Sequence, residues 1–298
     1  MRPLYVHFFP FYHSVPPSYP LHSLFNVTDL SHNPVPILEA PRSIKRSNLR
    51  MINICFGTKS KVVQKLISQP ITSVFNESHI ILTTNCPLFA WFPYYNETYN
   101  ALVRLGFLED RPFNSVHPSI HGFNVLSYVM KNHFVFNEEI MKTVRERRER
   151  MGKGPCVGFH IRMGDRNSDF VEYRSFLFTK DIMSFLKCSI FDQYPKASIY
   201  IASDSNFAKG IILNNTMNHE VFSFTPKATH SDSAFKSTKG NDIVKELFVE
   251  LLTLGSCDAL VGTYRSSFSF LASSFQGKVP YLVTRNSKCF LPSSLHFG

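Results

Sequence analysis

From residue 156 onward, short apolar runs alternate with stretches of helical spacing, and most runs are apolar along their whole length. The runs are 156–162, 197–202, 220–224, 259–263 and 281–283. The spacing between them predicts helices over 179–191, from the Ser203-Asp204-Ser205 cluster to 213, over 242–254 and over 267–275. A strand that is apolar on both sides must be covered on both, which a parallel sheet between two helical layers provides. The implied fold class is α/β, with a doubly wound unit over 155–298.

Upstream the pattern is looser. Residues 1–50 are rich in proline and lack periodicity, so they read as an irregular lead-in. Strands are predicted over 51–56 and 80–84, and helices over 59–68, 99–108, 124–132 and 137–151. The cluster Gly152-Lys153-Gly154-Pro155 is the best internal boundary, giving an N-terminal α/β domain over 51–152. The run Arg145-Glu146-Arg147-Arg148-Glu149-Arg150 reads as the solvated end of the 137–151 helix, where cations are favoured by the helix dipole.

The formal net charge of +10 points to an anionic partner: nucleic acid, an acidic membrane surface or a phosphorylated small molecule. No apolar stretch is long enough to span a bilayer, and the proline-broken first 20 residues make a poor signal peptide. The six cysteines lie far apart with no metal-binding spacing; their even number permits disulfides, but Cys156 and Cys257, in or beside apolar runs, read more plainly as buried free thiols. Four glycosylation sequons occur, at Asn26, Asn76, Asn96 and Asn214.

Parallel sheets bind ligands beyond the carboxyl ends of their strands, so the polar residues there are the ones to weigh. Arg162 closes the first run, where a planar cationic fork suits a phosphate; an interdomain salt bridge is the structural alternative. His160, two residues back, shares its face of the strand, as a core histidine or as part of a site. Asp165 and Asp169 follow in the next loop, where turn chemistry is the plainer role. Asp204, between Ser203 and Ser205, either caps its helix or accepts bonds from a ribose or a base. Ser266 and Ser267, beyond Thr263, open a helix whose exposed amides form a phosphate site or are simply capped. There is no GxGxxG, no GxxxxGK[ST], no GxSxG and no Asp-x-Asp, so a diphosphate here would be neutralised by side chains and helix termini.

The run Val157-Gly158-Phe159-His160-Ile161-Arg162-Met163-Gly164-Asp165 resembles the His-x-Arg-x-x-Asp motif of the fucosyltransferase superfamily, which joins α1,2-, α1,6- and protein O-fucosyltransferases. Ile199 to Ser205 resembles the second motif of that group, and Cys257 to Thr263 with Ser266-Ser267-Phe268-Ser269 the third. The resemblance covers about residues 120–298. It implies a GT-B-like fold of two Rossmann-like domains, the C-terminal one clearer, and a metal-independent glycosyltransferase that moves fucose with inversion from GDP-fucose to a glycan or protein.

By position, it implies that Arg162 binds the β-phosphate and stabilises the GDP leaving group, while His160 shapes the donor site. Asp204 would hold the nucleoside, Ser266 and Ser267 the diphosphate, with Ser203, Ser205, Thr263 and Phe268 completing the donor site. Asp165, Asp169 and Glu172 are the candidate bases, no cofactor or metal is implied, and the compartment is the Golgi or endoplasmic reticulum lumen. Met163 departs from the members that carry a second arginine there. Two rival readings are a non-catalytic nucleotide-sugar-binding relative and, on charge alone, a nucleic-acid-binding protein.

Overall fold

Strand β3 (Cys156–Ile161) is the middle of the chain's main sheet, and every one of its six residues is buried. The computed structural model describes residues 49–54, 79–84, 96–164, 177–216, 218–224 and 240–295. These fall into two units, one of described residues up to Phe134 together with 293–295, the other Val135–Pro292.

In the first unit, β1 (Leu49–Ile54) pairs in parallel with β2 (His79–Thr84), close to the predicted strands. Helix α1 is Asn96–Arg104 and α2 is Pro118–His133, both starting earlier than their apolar spacing suggests. Pro118 sits at the start of α2, where its fixed φ suits the first turn and its missing N–H costs nothing. Tyr99, Leu108 and Val125 form the buried cluster, and the Tyr99 hydroxyl donates to the Arg111 carbonyl at 2.8 Å. The Leu295 amide donates to Ser119 Oγ at 2.8 Å, fixing the 293–295 segment to the start of α2. The helix predicted over 59–68 lies outside the described residues.

In the second unit, α3 (Glu138–Arg150) begins where the Asn137 side chain accepts the Ile140 amide at 3.0 Å. Glu138 and Glu139 lie in its first turn and Arg147, Arg148 and Arg150 in its last, each matched to the helix dipole. The solvated reading of the arginine run needs correction at one position. Arg147 is buried, pairs with Glu246 on α7 (Gly240–Gly255) at 2.6 Å, and lies over the Phe224 ring. Phe136 packs on Phe248 and Phe275, so the helix before the Gly/Pro cluster belongs physically with the elements after that cluster.

The remaining elements are α4 (Met183–Leu186), α5 (Ile190–Gln193), β4 (Ser198–Ser203), α6 (Asn206–Asn215), β5 (Val221–Phe222), β6 (Ala259–Thr263), α8 (Ser267–Gln276), β7 (Tyr281–Val283) and β8 (Cys289–Phe290). The sheet order is β5-β4-β3-β6-β7-β8, with β3 through β7 parallel and β8 antiparallel at the edge. The chain therefore winds outward from β3 in one direction, then crosses back to its other side at β6. That is the doubly wound order expected of an α/β nucleotide fold, with the reversal between β3 and β6.

Alternation sorts β3 into two faces. Val157, Phe159 and Ile161 enter an apolar cluster with Phe185, Ile199 and Val261, while Gly158 lies under Leu254 of α7. A Cβ at Gly158 would approach Leu254 Cδ2 to 3.0 Å, so the missing side chain lets α7 settle on the sheet. Full burial of a ring such as Phe159 contributes about 1.5–3 kcal/mol.

Two disulfides, Cys156–Cys257 and Cys188–Cys289, tie this unit together. They overturn the free-thiol reading of Cys156 and Cys257. Both residues are buried as expected, but each is the other's partner, because β3 and β6 are neighbours that start at the same edge.

Candidate functional site

The reversal between β3 and β6 leaves a notch at their carboxyl ends, and four of the sequence-predicted residues meet there. Arg162 follows β3 directly. Its amide donates to Thr263 Oγ1 at 2.8 Å, and that hydroxyl donates to the His160 carbonyl at 3.0 Å. Thr263 thus laces the end of β6 to the end of β3 and fixes where the arginine leaves the sheet. Arg162 Nε lies 3.6 Å from Asp204 Oδ2, with the arginine side chain 24% and the aspartate 5% exposed. The salt-bridge alternative is therefore realised, but with a neighbouring strand end of the same unit.

Asp204 does more than pair with Arg162. Its Oδ1 accepts the Met163 amide at 2.8 Å and its Oδ2 the Gly164 amide at 3.1 Å. Gly164 has φ +62°, which a residue with a side chain adopts only at a cost, so the turn after Arg162 is built from a glycine and held by a carboxylate. Any nucleoside contact by Asp204 would share oxygens already holding this turn.

Ser203 and Ser205 serve the turn from β4 into α6. Ser203 Oγ donates to the Ile161 carbonyl at 2.7 Å and accepts the Ser205 amide at 3.1 Å. Ser205, not Asp204, caps α6, accepting the Ala208 amide at 3.3 Å.

Ser266 is the N-cap of α8 and its side chain makes no capping bond. Ser267 is exposed at the first position of that helix, so the amides of its first turn face the same edge as Arg162. Arg265, just before, has φ +65°, a conformation uncommon for a residue with a side chain and costing about 1–3 kcal/mol.

His160 is buried under α8. In the sheet it stands between Ala202 and Gly262, two small residues that leave room for the imidazole. Its Nδ1 lies 2.7 Å from Ser269 Oγ, and the Phe268 ring stacks on it at 4.8 Å. Burial first, and the Arg162 charge second, lower its pKa to about 3. It is therefore neutral near pH 7 and far too weak a base to take a proton from a hydroxyl. Its place is to support the floor of the notch.

Met163 is fully buried among Leu177, Phe185 and Ile201, continuing the 157-159-161 alternation past the end of the strand. The side chain at this position points into the core, away from the notch. Asp165, Asp169 and Glu172 lie outside the described residues.

Sequence reasoning gave no role to Ser269 or Gly262. A Cβ on Gly262 would lie 2.5 Å from Ser269 Cβ, so the glycine is what admits Ser269 to the imidazole. The one sequence signal is that Ser269 sits three positions after the N-cap, on the turn of α8 that faces β6.

No family model matches the chain, and no curated protein matches it in sequence. Among solved structures, a mutant of Arabidopsis thaliana FUT1 in complex with GDP is similar at 11% identity and TM-score 0.49, covering 90% of this chain and 58% of that one. NodZ α-1,6-fucosyltransferase soaked with GDP-fucose gives 12% identity and TM-score 0.36, covering 54% of this chain and 48% of that one. POFUT1 in complex with GDP gives 11% and 0.40, covering 86% of this chain and 81% of that one. The chain thus spans well under two thirds of the FUT1 and NodZ chains. No helix among the described residues is long and apolar enough to cross a membrane.

Proposed function

We propose that the Val135–Pro292 unit binds a nucleoside-diphosphate sugar in the notch between β3 and β6, and that the protein transfers fucose with inversion from GDP-fucose to a glycan or protein hydroxyl. The observation that carries the reading is Arg162, fixed by Thr263 and Asp204 at the sheet's reversal point on the edge where α8 begins. A preorganised cation and an open helix N-terminus together favour a diphosphate. The motif resemblance supplies the sugar and the base.

In the proposed reaction the acceptor oxygen attacks the anomeric carbon and the bond from that carbon to the β-phosphate breaks. Negative charge grows on the departing GDP, where Arg162, the Ser267 amide at the start of α8 and the Ser266 hydroxyl stabilise it, the Ser266 amide being already given to the Thr263 carbonyl at 3.1 Å. Removing one preorganised donor of this kind costs on the order of 10²–10³ in rate. Asp204 acts by holding the turn that aims Arg162, and Phe268 by covering His160. Asp165, Asp169 and Glu172 remain the proposed bases for the acceptor hydroxyl, and no metal is assigned to the step.

We place the protein in the lumen of the secretory pathway, in keeping with two disulfides, which persist in oxidising compartments.

The test is turnover of labelled GDP-fucose by the wild type, Arg162→Ala and Arg145→Ala. Arg145 is exposed and pairs with Glu138, so its variant is the control for net charge. The reading requires turnover to fall with Arg162→Ala alone. Retention of GDP-fucose without hydrolysis or transfer would instead favour a binding relative, and a thermal-shift screen that shows no nucleotide diphosphate stabilising the protein would dismiss the site.

A further inference from the structure

We propose that Asn214 carries an N-linked glycan. It rests on the proposed lumenal location, on the disulfides and on one helix end, and not on the donor site. The sequon is Asn214-Asn215-Thr216, closing α6, and Asn214 is exposed there. Cys156–Cys257 and Cys188–Cys289 suit an oxidising compartment, and in the proposed secretory lumen sequons meet the transferase that modifies them. The other sequon among the described residues, at Asn96, opens α1 in the other unit.

The geometry suits a glycan at this point. Helix α6 starts at the carboxyl end of β4 and runs back for 10 residues, about 15 Å, toward the edge where β3 begins. A glycan on its last turn therefore projects from the side of the sheet away from Arg162. The residues beside it are already satisfied locally. Asn215 Nδ2 donates to the Ile211 carbonyl at 2.7 Å and Thr216 Oγ1 to the Ile212 carbonyl at 2.5 Å, while Asn214 itself is exposed. Phe207 and Leu213 on the outer side of the helix are 57% and 49% exposed, an apolar surface that a sugar on the same face keeps hydrated.

In the modification, Asn214 Nδ2 bonds to the anomeric carbon of an oligosaccharide carried on a lipid diphosphate. The bond from that carbon to the diphosphate oxygen breaks and its electron pair leaves with the lipid diphosphate. The amide proton passes to a base of the transferase, and no oxidant or reductant takes part.

The experiment uses full-length protein isolated from eukaryotic cells. Enzymatic release of the glycan in heavy-oxygen water, followed by peptide mass spectrometry under non-reducing conditions, should find Asn214 converted to aspartate bearing the heavy oxygen. The same maps should contain the Cys156–Cys257 and Cys188–Cys289 linked peptides. On gels, Asn214→Gln and Thr216→Ala should each remove one glycan's worth of mass, while Thr216→Ser, which keeps both the sequon and the hydroxyl, should retain it. Recovery of the Asn214 peptide wholly unmodified, unchanged mobility of Thr216→Ala, or four cysteines found as thiols would each overturn the proposal.

Discussion

Asp204 holds the turn that carries Arg162: its two carboxylate oxygens take the Met163 and Gly164 amides at 2.8 and 3.1 Å, and the guanidinium Nε stands 3.6 Å away. The carboxylate is 5% exposed, so losing it strands two amides in a dry place. Asp204→Ala should lower stability by about 1–3 kcal/mol, the cost of unsatisfied buried groups. Asp204→Asn, which keeps one acceptor oxygen but no charge, should fall between. Denaturant unfolding measures the first effect, and GDP titration by calorimetry should show weaker binding in both variants because Arg162 is no longer aimed.

A shorter cation tests whether the fork matters or only its charge. Lysine at position 162 keeps the charge but cannot make two parallel bonds to a phosphate. Arg162→Lys should therefore retain GDP binding weakened by roughly tenfold, about 1.4 kcal/mol, and lose more in turnover than in binding. Comparing the GDP dissociation constant with the turnover rate separates the two.

Gly262 and Ser269 make a second testable pair. A methyl at 262 falls on the Ser269 side chain, which must shift and release the imidazole it holds at 2.7 Å. Gly262→Ala should cost about 1–3 kcal/mol through overpacking. Ser269→Ala leaves the backbone undisturbed and removes only the hydroxyl, so it should cost less, about 0.5–1.5 kcal/mol. Thermal unfolding of the two variants gives the order, and equal losses would mean that the close approach of α8 to β6 is not what the glycine serves.

How much of the fold and the site is legible in the sequence depends on whether the cause is local. β6 and β7 have the bounds their apolar runs predict, 259–263 and 281–283, because an unbroken apolar run between turn residues has few other uses. The stretch 179–191, whose spacing reads as one helix, is instead a 3-10 turn at Thr179–Asp181 followed by α4 and α5. Cys188 falls between the two short helices and is tied to Cys289 on β8, a constraint 101 residues away that apolar spacing does not record. β8 escapes the pattern for a related reason: it has two residues and exists only as the antiparallel partner of β7. At the site, the residues are visible but their division of labour is not. Nothing local distinguishes the serine that caps α6 from the aspartate beside it, which reaches across to the next strand. Met163 is legible in principle, since 157, 159, 161 and 163 share one face of an extended chain.

The buried histidine sets an acid limit on stability. Its folded pKa, about 3, lies below the ordinary value of 6.5, so the unfolded chain binds the proton first as pH falls. Stability from this group is complete above about pH 6.5 and declines toward pH 3, by at most about 1.4 kcal/mol per pH unit. Replacing His160 with glutamine, which is neutral throughout, should flatten that part of the profile even though it also lowers stability at pH 7. Unfolding free energies between pH 4 and pH 7 for the two proteins test this, and parallel profiles would assign the acid sensitivity to other groups.

The Cys156–Cys257 bridge joins the starts of the two strands that flank the reversal point, and its closed loop spans 101 residues of sequence. Loops of that length lose much chain entropy when closed, so removing the bridge typically costs about 2–5 kcal/mol. A Cys156→Ala, Cys257→Ala double variant should lose stability of that order, read from denaturant midpoints. GDP affinity measured well below the unfolding temperature should hardly change. The bridge sits at the amino ends of β3 and β6, whereas Arg162 and Ser266 sit beyond their carboxyl ends. If affinity instead fell in proportion to stability, the strand ends would depend on the bridge for their spacing, and the lacing of Thr263 to His160 and Arg162 would not be enough to set the notch.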